Sequence, residues 1–486
     1  MKPFWILLCL FGLLFAILFS FRLGAVNTFN PVSEELASFP IERVPEKDSW
    51  MNILQNGRKI GSSHTFISKT AKGYLLKETL YIRLNTMGLT QDLILKTAGK
   101  LNNDFTLSSF DFEISSGRFH FSAQGAVSGN VLSVKTHNFG SSKDVHLKIK
   151  EKLYVSSGIV DAAYASGMKP GDEFTLHVFD PVSMSSEPVS IKVMGKENIL
   201  NMGIQKNSMK MAIQYQGTTQ LVWIDENGEV LKEKGLLGFS LEKTTRKDAL
   251  FGLLDESSQD LAEIASVKSN VIFDNPLKLE RINVKISGIN IKDVHLESER
   301  QVLRGNVLII QKEDLVKFPD VINNMNTIPD RFVKPEPFIE SDHPKILNLV
   351  EKIVTNDDTP LERANKLMTW VHNNIEKRPV LSMPDALATL VNKVGDCNEH
   401  AVLLAALARA AGIPARIEAG LVYLNGRFYY HAWNLLYIGK WITADATFGQ
   451  LPADVTHIRF SSGSMQQQLD IMNVIGKVKL NILTYQ

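Results

Sequence analysis

The chain has 486 residues, a formal net charge of +1 and a hydrophobic fraction of 44%. At this length we expect two or three domains, each with enough residues for a core of its own. Charged residues of both signs are interspersed and no basic run occurs, so the composition gives no reason to expect nucleic-acid binding.

The N-terminus carries an apolar run, Pro3 to Phe21, preceded by Lys2. The run is long enough to span a bilayer and longer than the usual core of a cleaved signal peptide. No clear small-x-small cleavage site follows it, and Cys9 lies too early in the run for a lipoprotein attachment site. We therefore predict a transmembrane signal anchor over residues 1–22, a single pass through the inner membrane, with the remainder extracytoplasmic (periplasmic). Secretion after signal cleavage is the alternative.

A β-rich region follows the predicted linker of residues 23–46. Over residues 47–250, apolar and polar residues alternate between regularly spaced turn signals, which predicts an antiparallel β sandwich or partial barrel. The segment Gly158 to Ala165 is more typical of a helix. No catalytic motif occurs here, so we expect a spacer or a binding platform. The predicted strands include Gly73 to Leu84, Leu89 to Thr97, Phe110 to Ile114, Phe119 to Gln124, Val131 to Thr136 and Val145 to Ile149.

Residues 251–335 are predicted to be a second β segment and a linker, with strands at Ile282 to Ile286 and Leu308 to Ile310. The sequence leaves open whether this segment closes the β domain or opens the next one. Residues 336–486 then form the last predicted domain, where helical patterns alternate with short connections. Its predicted helices are Pro344 to Val354, Thr359 (the start of a capping box) to about Ile375, Pro384 to Val391, and Cys397 to Ala411.

The candidate site begins at Gly395-Asp396-Cys397, where a turn gives way to a helix. A cysteine in the first turn feels the positive end of the helix dipole, which favours the thiolate. His431 lies on a predicted strand, Arg427 to Tyr437, and Asp445 ends the next one. A thiol, an imidazole and a carboxylate are the groups of a nucleophile, its base and the residue that orients the base.

Register decides whether His431 and Asp445 can meet. A two-residue loop at Gly439-Lys440 would place Asp445 opposite Asn434, on the wrong face of the sheet. A three-residue loop, Ile438 to Lys440, would place Asp445 opposite Trp433, which shares a face with His431. We predict the longer loop or an equivalent bulge.

These motifs together resemble the transglutaminase-like superfamily of papain-type cysteine enzymes. The family pattern is Gly-Asp-Cys, Gly-Ile-Pro-Ala-Arg, His-Ala-Trp and Asp-Pro-Thr, and this chain has Gly395-Asp396-Cys397, Gly412-Ile413-Pro414-Ala415-Arg416, His431-Ala432-Trp433 and Asp445-Ala446-Thr447. The resemblance covers about the last third of the chain. It departs from the pattern at Ala446, which replaces the usual proline, and at Leu435, where an acidic residue is often found.

The resemblance implies an α+β fold with a papain-like transglutaminase core, in which a helix carries the cysteine and an antiparallel meander carries the histidine and the aspartate. The β-rich domain and the N-terminal transmembrane helix would precede that core. By the same resemblance, Cys397 is the nucleophile, His431 the general base and acid, and Asp445 the orienting carboxylate. No cofactor and no metal are implied.

Each candidate also has a plainer interpretation. Alone, Cys397 could be an inert buried thiol, His431 a core histidine and Asp445 a solvated turn residue; their order favours catalysis. His400 follows Cys397 by one helical turn and competes with it for one surface, so we predict a structural role. A metal site made of Cys397, His400 and His431 would lack a second thiol or a close histidine pair. Trp370 and Trp433 are predicted to pack the core, and Asn373 and Asn374 are candidates for an oxyanion hole.

The sequence thus predicts a cysteine-dependent acyl-transfer enzyme that acts on peptide or glutamine amide bonds through a thioester, as a peptidase or amidase of the cell envelope. The alternatives are a protein-crosslinking transglutaminase and a non-catalytic scaffold that binds a peptide or glycan. The expected partners are a protein or peptide substrate with an accessible amide, and the membrane through the N-terminal helix.

Overall fold

The computed structural model describes residues 46–486 apart from 87, 118, 139–140, 183, 216–217, 253–258, 316–327, 381–383, 464–470 and 472–473. The predicted transmembrane segment, residues 1–22, lies outside the described residues. Within the described residues, no helix is long and apolar enough to cross a membrane. The described chain divides into two compact units between Asp260 and Leu261, and we call them the N-terminal unit and the C-terminal unit.

The N-terminal unit is a 15-stranded sheet, which confirms the predicted antiparallel β structure, whereas the sandwich or partial barrel stays a prediction. Sequence neighbours pair from β1 to β8 and from β9 to β15, and β1 pairs with β15 to join the two series. Among the described strands of this sheet, only β9 and β10 pair in parallel. The strands are β1 Lys47–Gln55, β2 Arg58–Thr70, β3 Gly73–Thr86, β4 Leu89–Leu101, β5 Leu107–Ser116, β6 Phe119–Ser128, β7 Val131–Asn138, β8 Ser141–Lys148, β9 Leu153–Tyr154, β10 Glu173–Asp180, β11 Ser185–Asn201, β12 Ile204–Tyr215, β13 Thr218–Ile224, β14 Val230–Lys234 and β15 Phe239–Thr244.

Two short helices interrupt this unit. The predicted helical segment is confirmed as a 3-10 turn, Ser156–Gly158, that continues into α1, Ile159–Ala165. Helix α2, Arg246–Leu250, follows the last strand and begins where the Thr245 side chain accepts a hydrogen bond from the Asp248 amide. Thr245 therefore serves as an N-cap residue, a position at which threonine is favoured.

The C-terminal unit combines helices with three small sheets. The β segment that the sequence left unassigned belongs to this unit, because β17 pairs with β26 at the end of the chain. The sheet that concerns the site has the order β16-β23-β22-β25, and β24 pairs with β23. The elements are α3 Leu261–Ala265, β16 Val267–Lys268, β17 Arg281–Ser287, β18 Gln301–Arg304, β19 Val307–Gln311, α4 Pro344–Ile353, α5 Pro360–Asn374, β20 Glu376–Lys377, α6 Ala386–Asn392, β21 Val394–Gly395, α7 Cys397–Ala410, β22 Ala415–Leu424, β23 Arg427–Tyr437, β24 Trp441–Ala444, β25 Ile458–Gly463 and β26 Lys479–Tyr485.

Helix α7 is the centre of this unit. Nearly all of its residues are buried, because apolar side chains occur on every face of the helix rather than along one stripe. It packs against α4, α5 and α6 on one side and against β22 and β23 on the other. The predicted capping box at the start of α5 is confirmed, with Thr359 and Glu362 bonding to each other's backbone amides. The start of α7 is therefore held firmly between helices and sheet.

Candidate active site

Cys397 is the first residue of α7 and is 1% exposed. The Asp396 side chain accepts from the Asn398 amide at 2.8 Å, and the Glu399 carboxylate accepts from the Asp396 amide at 2.9 Å. The Asp396 side chain also accepts from the Glu399 amide, which completes a capping box that fixes the first turn of the helix. A Cβ at Gly395 would collide with the Glu399 side chain, so glycine is needed for the turn to pack against the cap.

His431 and Asp445 lie side by side, as the three-residue loop requires. Strand β23 ends at Tyr437, β24 begins at Trp441, and Asn434 pairs with Ala444. This register continues to bring Asp445 opposite Trp433, so the predicted loop is confirmed. His431 Nε2 lies 2.6 Å from Asp445 Oδ2, and both side chains are buried.

The Asp445 carboxylate accepts four hydrogen bonds. Oδ1 accepts from the backbone amides of Thr447 at 2.7 Å and Phe448 at 3.0 Å. Oδ2 accepts from His431 and from Nε2 of His457, the latter at 3.0 Å. Burial by itself would raise the pKa of Asp445, but the charge and hydrogen bond of His431, followed by those of His457, hold that pKa far below its ordinary value. Asp445 is therefore a fixed anion beneath the two imidazoles.

The opposite shift occurs at His431. Burial would lower its pKa, but the charge and hydrogen bond of Asp445, with a smaller contribution from a hydrogen bond to Cys397 and the Cys397 charge, raise that pKa to about 10. Since Nε2 faces Asp445, Nδ1 is the ring nitrogen that remains for the thiol. An imidazolium beside the sulfur and the amino end of α7 both favour the thiolate. His431 therefore contacts both of the other predicted residues, Cys397 and Asp445.

The His431 ring is also held by its aromatic neighbours. It stacks on Phe448 with 4.9 Å between ring centroids, and Trp433 lies 6.0 Å away on the same strand. The Trp433 indole donates to Glu418 Oε2 at 3.0 Å, and Arg459 donates to the other oxygen of Glu418 at 2.9 Å. This buried ion pair fixes the Trp433 side chain, which packs in the core as predicted.

Sequence reasoning missed His457 and Asp454. Both are buried, and His457 Nδ1 lies 3.4 Å from Asp454 Oδ1 while its Nε2 faces Asp445. Burial would lower the pKa of His457, but the Asp454 charge and the bonds to Asp445 and Asp454 raise it. No motif marks these residues in the sequence. The Asp-x-Thr turn, in which Asp454 accepts from Thr456, is the only local signal, and it indicates a turn rather than a site.

Of the secondary candidates, His400 has a structural role, and the two asparagines are exposed. His400 Nδ1 lies 2.7 Å from the Asp396 carbonyl oxygen, and burial lowers the His400 pKa to about 4, so this ring is neutral near pH 7 and supports the helix start. Asn373 and Asn374 are exposed at the end of α5. The Asn374 side-chain amide donates back to the Trp370 carbonyl at 2.9 Å, and a role of either asparagine in an oxyanion hole stays a prediction.

His431, Asp445 and His457 are also close enough to be considered as metal ligands. The two nitrogen-to-oxygen separations are 2.6 and 3.0 Å and end on one carboxylate oxygen. Tetrahedral ligands at about 2.0–2.2 Å from zinc lie roughly 3.3–3.6 Å from each other. The separations thus fit direct hydrogen bonds better than a shared ion, and the residues present do not make a good metal site.

Fold and site define an α+β unit in which a cysteine at a helix start contacts a buried histidine–aspartate pair. Residues 347–446 match the family model of the transglutaminase-like superfamily. The chain therefore contains a transglutaminase-like domain, which confirms the resemblance drawn from the four motifs. No curated protein matches the chain.

Several solved structures are similar to parts of this chain. A candidate cysteine protease from Cytophaga hutchinsonii is 18% identical, with a TM-score of 0.29, and the match covers 43% of this chain and 86% of the other. A β-barrel-like protein of unknown function from Brucella abortus is 13% identical, with a TM-score of 0.32 and coverage of 42% and 96%. A candidate protease from Parabacteroides distasonis is 10% identical, with a TM-score of 0.20 and coverage of 68% and 64%. At these TM-scores the similarities carry no functional argument.

Proposed function

We propose that this protein is a cysteine-dependent acyl-transfer enzyme of the cell envelope that cleaves peptide or glutamine amide bonds through a thioester. In this proposal Cys397, His431 and Asp445 are the catalytic residues of a papain-like core. Residues 1–22 anchor the chain in the inner membrane, and the catalytic domain faces the periplasm.

One observation carries the proposal. A continuous series of hydrogen bonds joins the sulfur to the carboxylate, since Cys397 hydrogen-bonds to His431 and His431 Nε2 lies 2.6 Å from Asp445 Oδ2. A thiol that is merely packed in a core needs neither a charged imidazole nor a helix start beside it. Burying so many ionisable groups is costly unless they are paired, and here the pairing ends on a nucleophile.

Each of the three residues has the role that is usual in catalysis by a thiolate nucleophile. The Cys397 thiolate attacks the amide carbonyl carbon, and the His431 imidazolium gives its proton to the leaving amine as the carbon–nitrogen bond breaks. The acyl group is then held as a thioester on Cys397. A second nucleophile loses its proton to neutral His431, attacks the thioester, and releases the acyl group as the thiolate reforms. Asp445 keeps the imidazole oriented and stabilises its charge throughout.

The second nucleophile decides the product. Water gives hydrolysis, and a protein amine gives a cross-link with the same three residues. We favour hydrolysis, because water is present at every turnover, and keep transamidation as the alternative.

The first test asks whether the thiol is reactive. In a Cys9→Ser background, where Cys397 is the only thiol, iodoacetamide should alkylate the full chain near neutral pH, and mass spectrometry of peptides should locate the adduct at Cys397. His431→Gln should slow the alkylation at least tenfold, because the imidazolium that stabilises the thiolate is gone. If Cys397 is alkylated as slowly in the Cys9→Ser protein as in the His431→Gln variant, the result would favour the non-catalytic scaffold.

The second test identifies the reaction. Envelope proteins are incubated with the chain or with Cys397→Ala and compared by mass spectrometry. New peptide termini that depend on Cys397 indicate a peptidase, whereas ammonia release with cross-linked peptides indicates a transglutaminase. If iodoacetamide reacts but neither product forms with any envelope protein, the proposed substrate class is wrong.

A further inference from the structure

A cavity of about 70 Å³, lined by both polar and apolar side chains, lies inside the N-terminal unit. Residues of β1, β2 and β3 line one side, residues of β12 to β15 line the other, and the 3-10 turn and α1 close it. Polar side chains follow one another across neighbouring strands, since Ser49 is opposite Thr65 and Thr65 is opposite Glu78. Inward positions of a curved sheet are normally filled by apolar side chains, so this polar row is unusual for a core.

The charges that face the cavity are unequal. Four carboxylates and one ammonium, that of Lys47, line it, and the ammonium of Lys243 pairs with Glu229 from outside the lining. Lys47 binds the Asp161 carboxylate and also donates to the Gly228 carbonyl at 2.6 Å. The carboxylates are those of Glu78, Asp161, Glu229 and Glu233.

Hydrogen-bond acceptors are in surplus as well. Gln220 is 1% exposed, and its Nε2 donates to Glu233, which fixes the amide orientation. Its Oε1 has no donor among the described residues. The Ser49 hydroxyl oxygen, on a residue that is 8% exposed, also lacks a hydrogen-bond partner within the described part of the chain. Buried polar atoms are nearly always paired, so an unpaired acceptor next to carboxylates indicates a missing donor.

We propose that this cavity binds the ammonium end of an aliphatic amine. The ammonium N–H groups would donate to Gln220 Oε1, to Ser49 Oγ and to the carboxylates around them. The alkyl stem would pack on the apolar lining residues Met51, Leu80 and Val222. At about 10–15 Å³ for each water-sized position, the volume suits roughly five to seven non-hydrogen atoms, the size of butylammonium or the end of a lysine side chain. The site is independent of the proposed acyl transfer, because all of its residues belong to the N-terminal unit.

Calorimetric titration of the full chain with butylammonium chloride tests the donor requirement. Butylammonium should bind with one site per chain. Butyltrimethylammonium, which has the charge but no N–H, and 1-butanol, which has no charge, should bind at least tenfold more weakly. Equal affinity for butylammonium and butyltrimethylammonium, or no saturable binding of butylammonium, would overturn the proposal.

A pair of variants locates the binding. Gln220→Leu removes the unpaired acceptor and should weaken butylammonium binding about tenfold. Gln214→Leu, on β12 and outside the cavity lining, should leave it unchanged. Equal loss in both variants would mean that the amine binds elsewhere. Because the ligand comparison uses the native chain, the proposal stays testable even if circular dichroism shows that Gln220→Leu does not fold.

The source of the amine is decided by two further ligands. A peptide with one internal lysine should compete with butylammonium if the site takes protein side chains, and 1,4-diaminobutane should compete better if it takes free amines. Competition by neither would count against the cavity as an amine site.

Discussion

Both units of this protein bury several charged groups, and they balance them differently. In the C-terminal unit the charges alternate in sign, so that Cys397, His431, Asp445, His457 and Asp454 each lie next to an opposite charge. In the N-terminal unit four carboxylates line a cavity, where Lys47 pairs with Asp161 and Lys243 pairs with Glu229. A balanced set needs nothing from outside and can be rigid before a substrate arrives, whereas a set with more carboxylates than ammonium groups can accept an external donor. The contrast separates the proposed catalytic arrangement from the proposed amine site.

Removing Asp445 should have the largest effect. Asp445→Ala leaves the His431 and His457 rings buried without their shared anion, and breaking a buried pair in this way costs about 3–5 kcal/mol. Hydrogen–deuterium exchange of peptides from α7 and β23 measures that loss, while peptides from β1 to β8 should exchange as before.

The control is an exposed pair of the same type. His64 Nε2 lies 2.7 Å from Asp48 Oδ1, and the Asp48 side chain is 66% exposed. Asp48→Ala should cost less than about 1 kcal/mol, because solvent already stabilises both groups. If Asp445→Ala proved as mild as Asp48→Ala, Asp445 would not be the anion that holds the cluster together.

The pH dependence of stability also tests how the C-terminal unit balances its buried charges. The folded pKa of His431 is raised to about 10 from an ordinary value of 6.5. A raised pKa contributes stability that is complete below the unfolded pKa and is lost as the pH rises through the folded one. Between pH 6.5 and 10, the C-terminal unit should therefore lose up to about 1.4 kcal/mol per pH unit. Hydrogen exchange corrected for the intrinsic rate at each pH measures this slope.

His431→Gln provides the control for that slope. The variant lacks the titrating ring, so its own dependence on pH over the same interval should be flatter. A slope that is unchanged in His431→Gln would assign the loss to other groups.

His457 distinguishes charge from hydrogen bonding at Asp445. His457→Leu removes both the N–H donor and the positive charge that act on Asp445. Asp445 is then fixed less firmly beside the His431 imidazolium. Alkylation of Cys397 should slow about tenfold, by analogy with the loss of other partners that orient a ligating or catalytic histidine. His457→Gln keeps an N–H donor and should recover part of the rate. Equal rates in the native chain and both variants would restrict His457 to packing.

The site motifs were readable from the sequence because each depends on local rules. The helix start at Cys397 follows from Gly395 and Asp396, strand β23 has the predicted bounds, and the loop from Ile438 to Lys440 follows from the side-chain alternation that brings Asp445 to the face of His431. Strand centres were also predicted, although β4 and β5 extend beyond their predicted ends, because cross-strand pairing rather than propensity decides where a strand stops.

The rest depends on contacts that no local rule contains. The pairing of β1 with β15 joins residues far apart in the chain. His457 reaches Asp445 only because β25 lies beside β22 in the folded sheet. In the N-terminal unit, the alternation of β1 does not reveal that Ser49 faces inwards, since a serine that follows Lys47 and Asp48 resembles an outward position. The cavity was therefore invisible in the sequence, which predicted only a spacer or a binding platform.

The smallest predicted effect compares two buried serines of the cavity. Ser49 Oγ has no hydrogen-bond partner, so Ser49→Ala removes a desolvated hydroxyl and should raise stability, by up to about 1 kcal/mol. Ser157 Oγ donates to Glu78 Oε2 at 2.9 Å, so Ser157→Ala takes a partner from a buried carboxylate and should lower stability by about 1–3 kcal/mol. Urea denaturation of both variants, followed by hydrogen exchange in β1 and β3, shows whether each substitution raises or lowers the free energy of unfolding. Saturating butylammonium should reduce the gain in Ser49→Ala, because the native hydroxyl is paired once the amine is bound. If Ser49→Ala were as destabilising as Ser157→Ala, the Ser49 hydroxyl would already have a partner and the surplus of acceptors would be smaller than proposed.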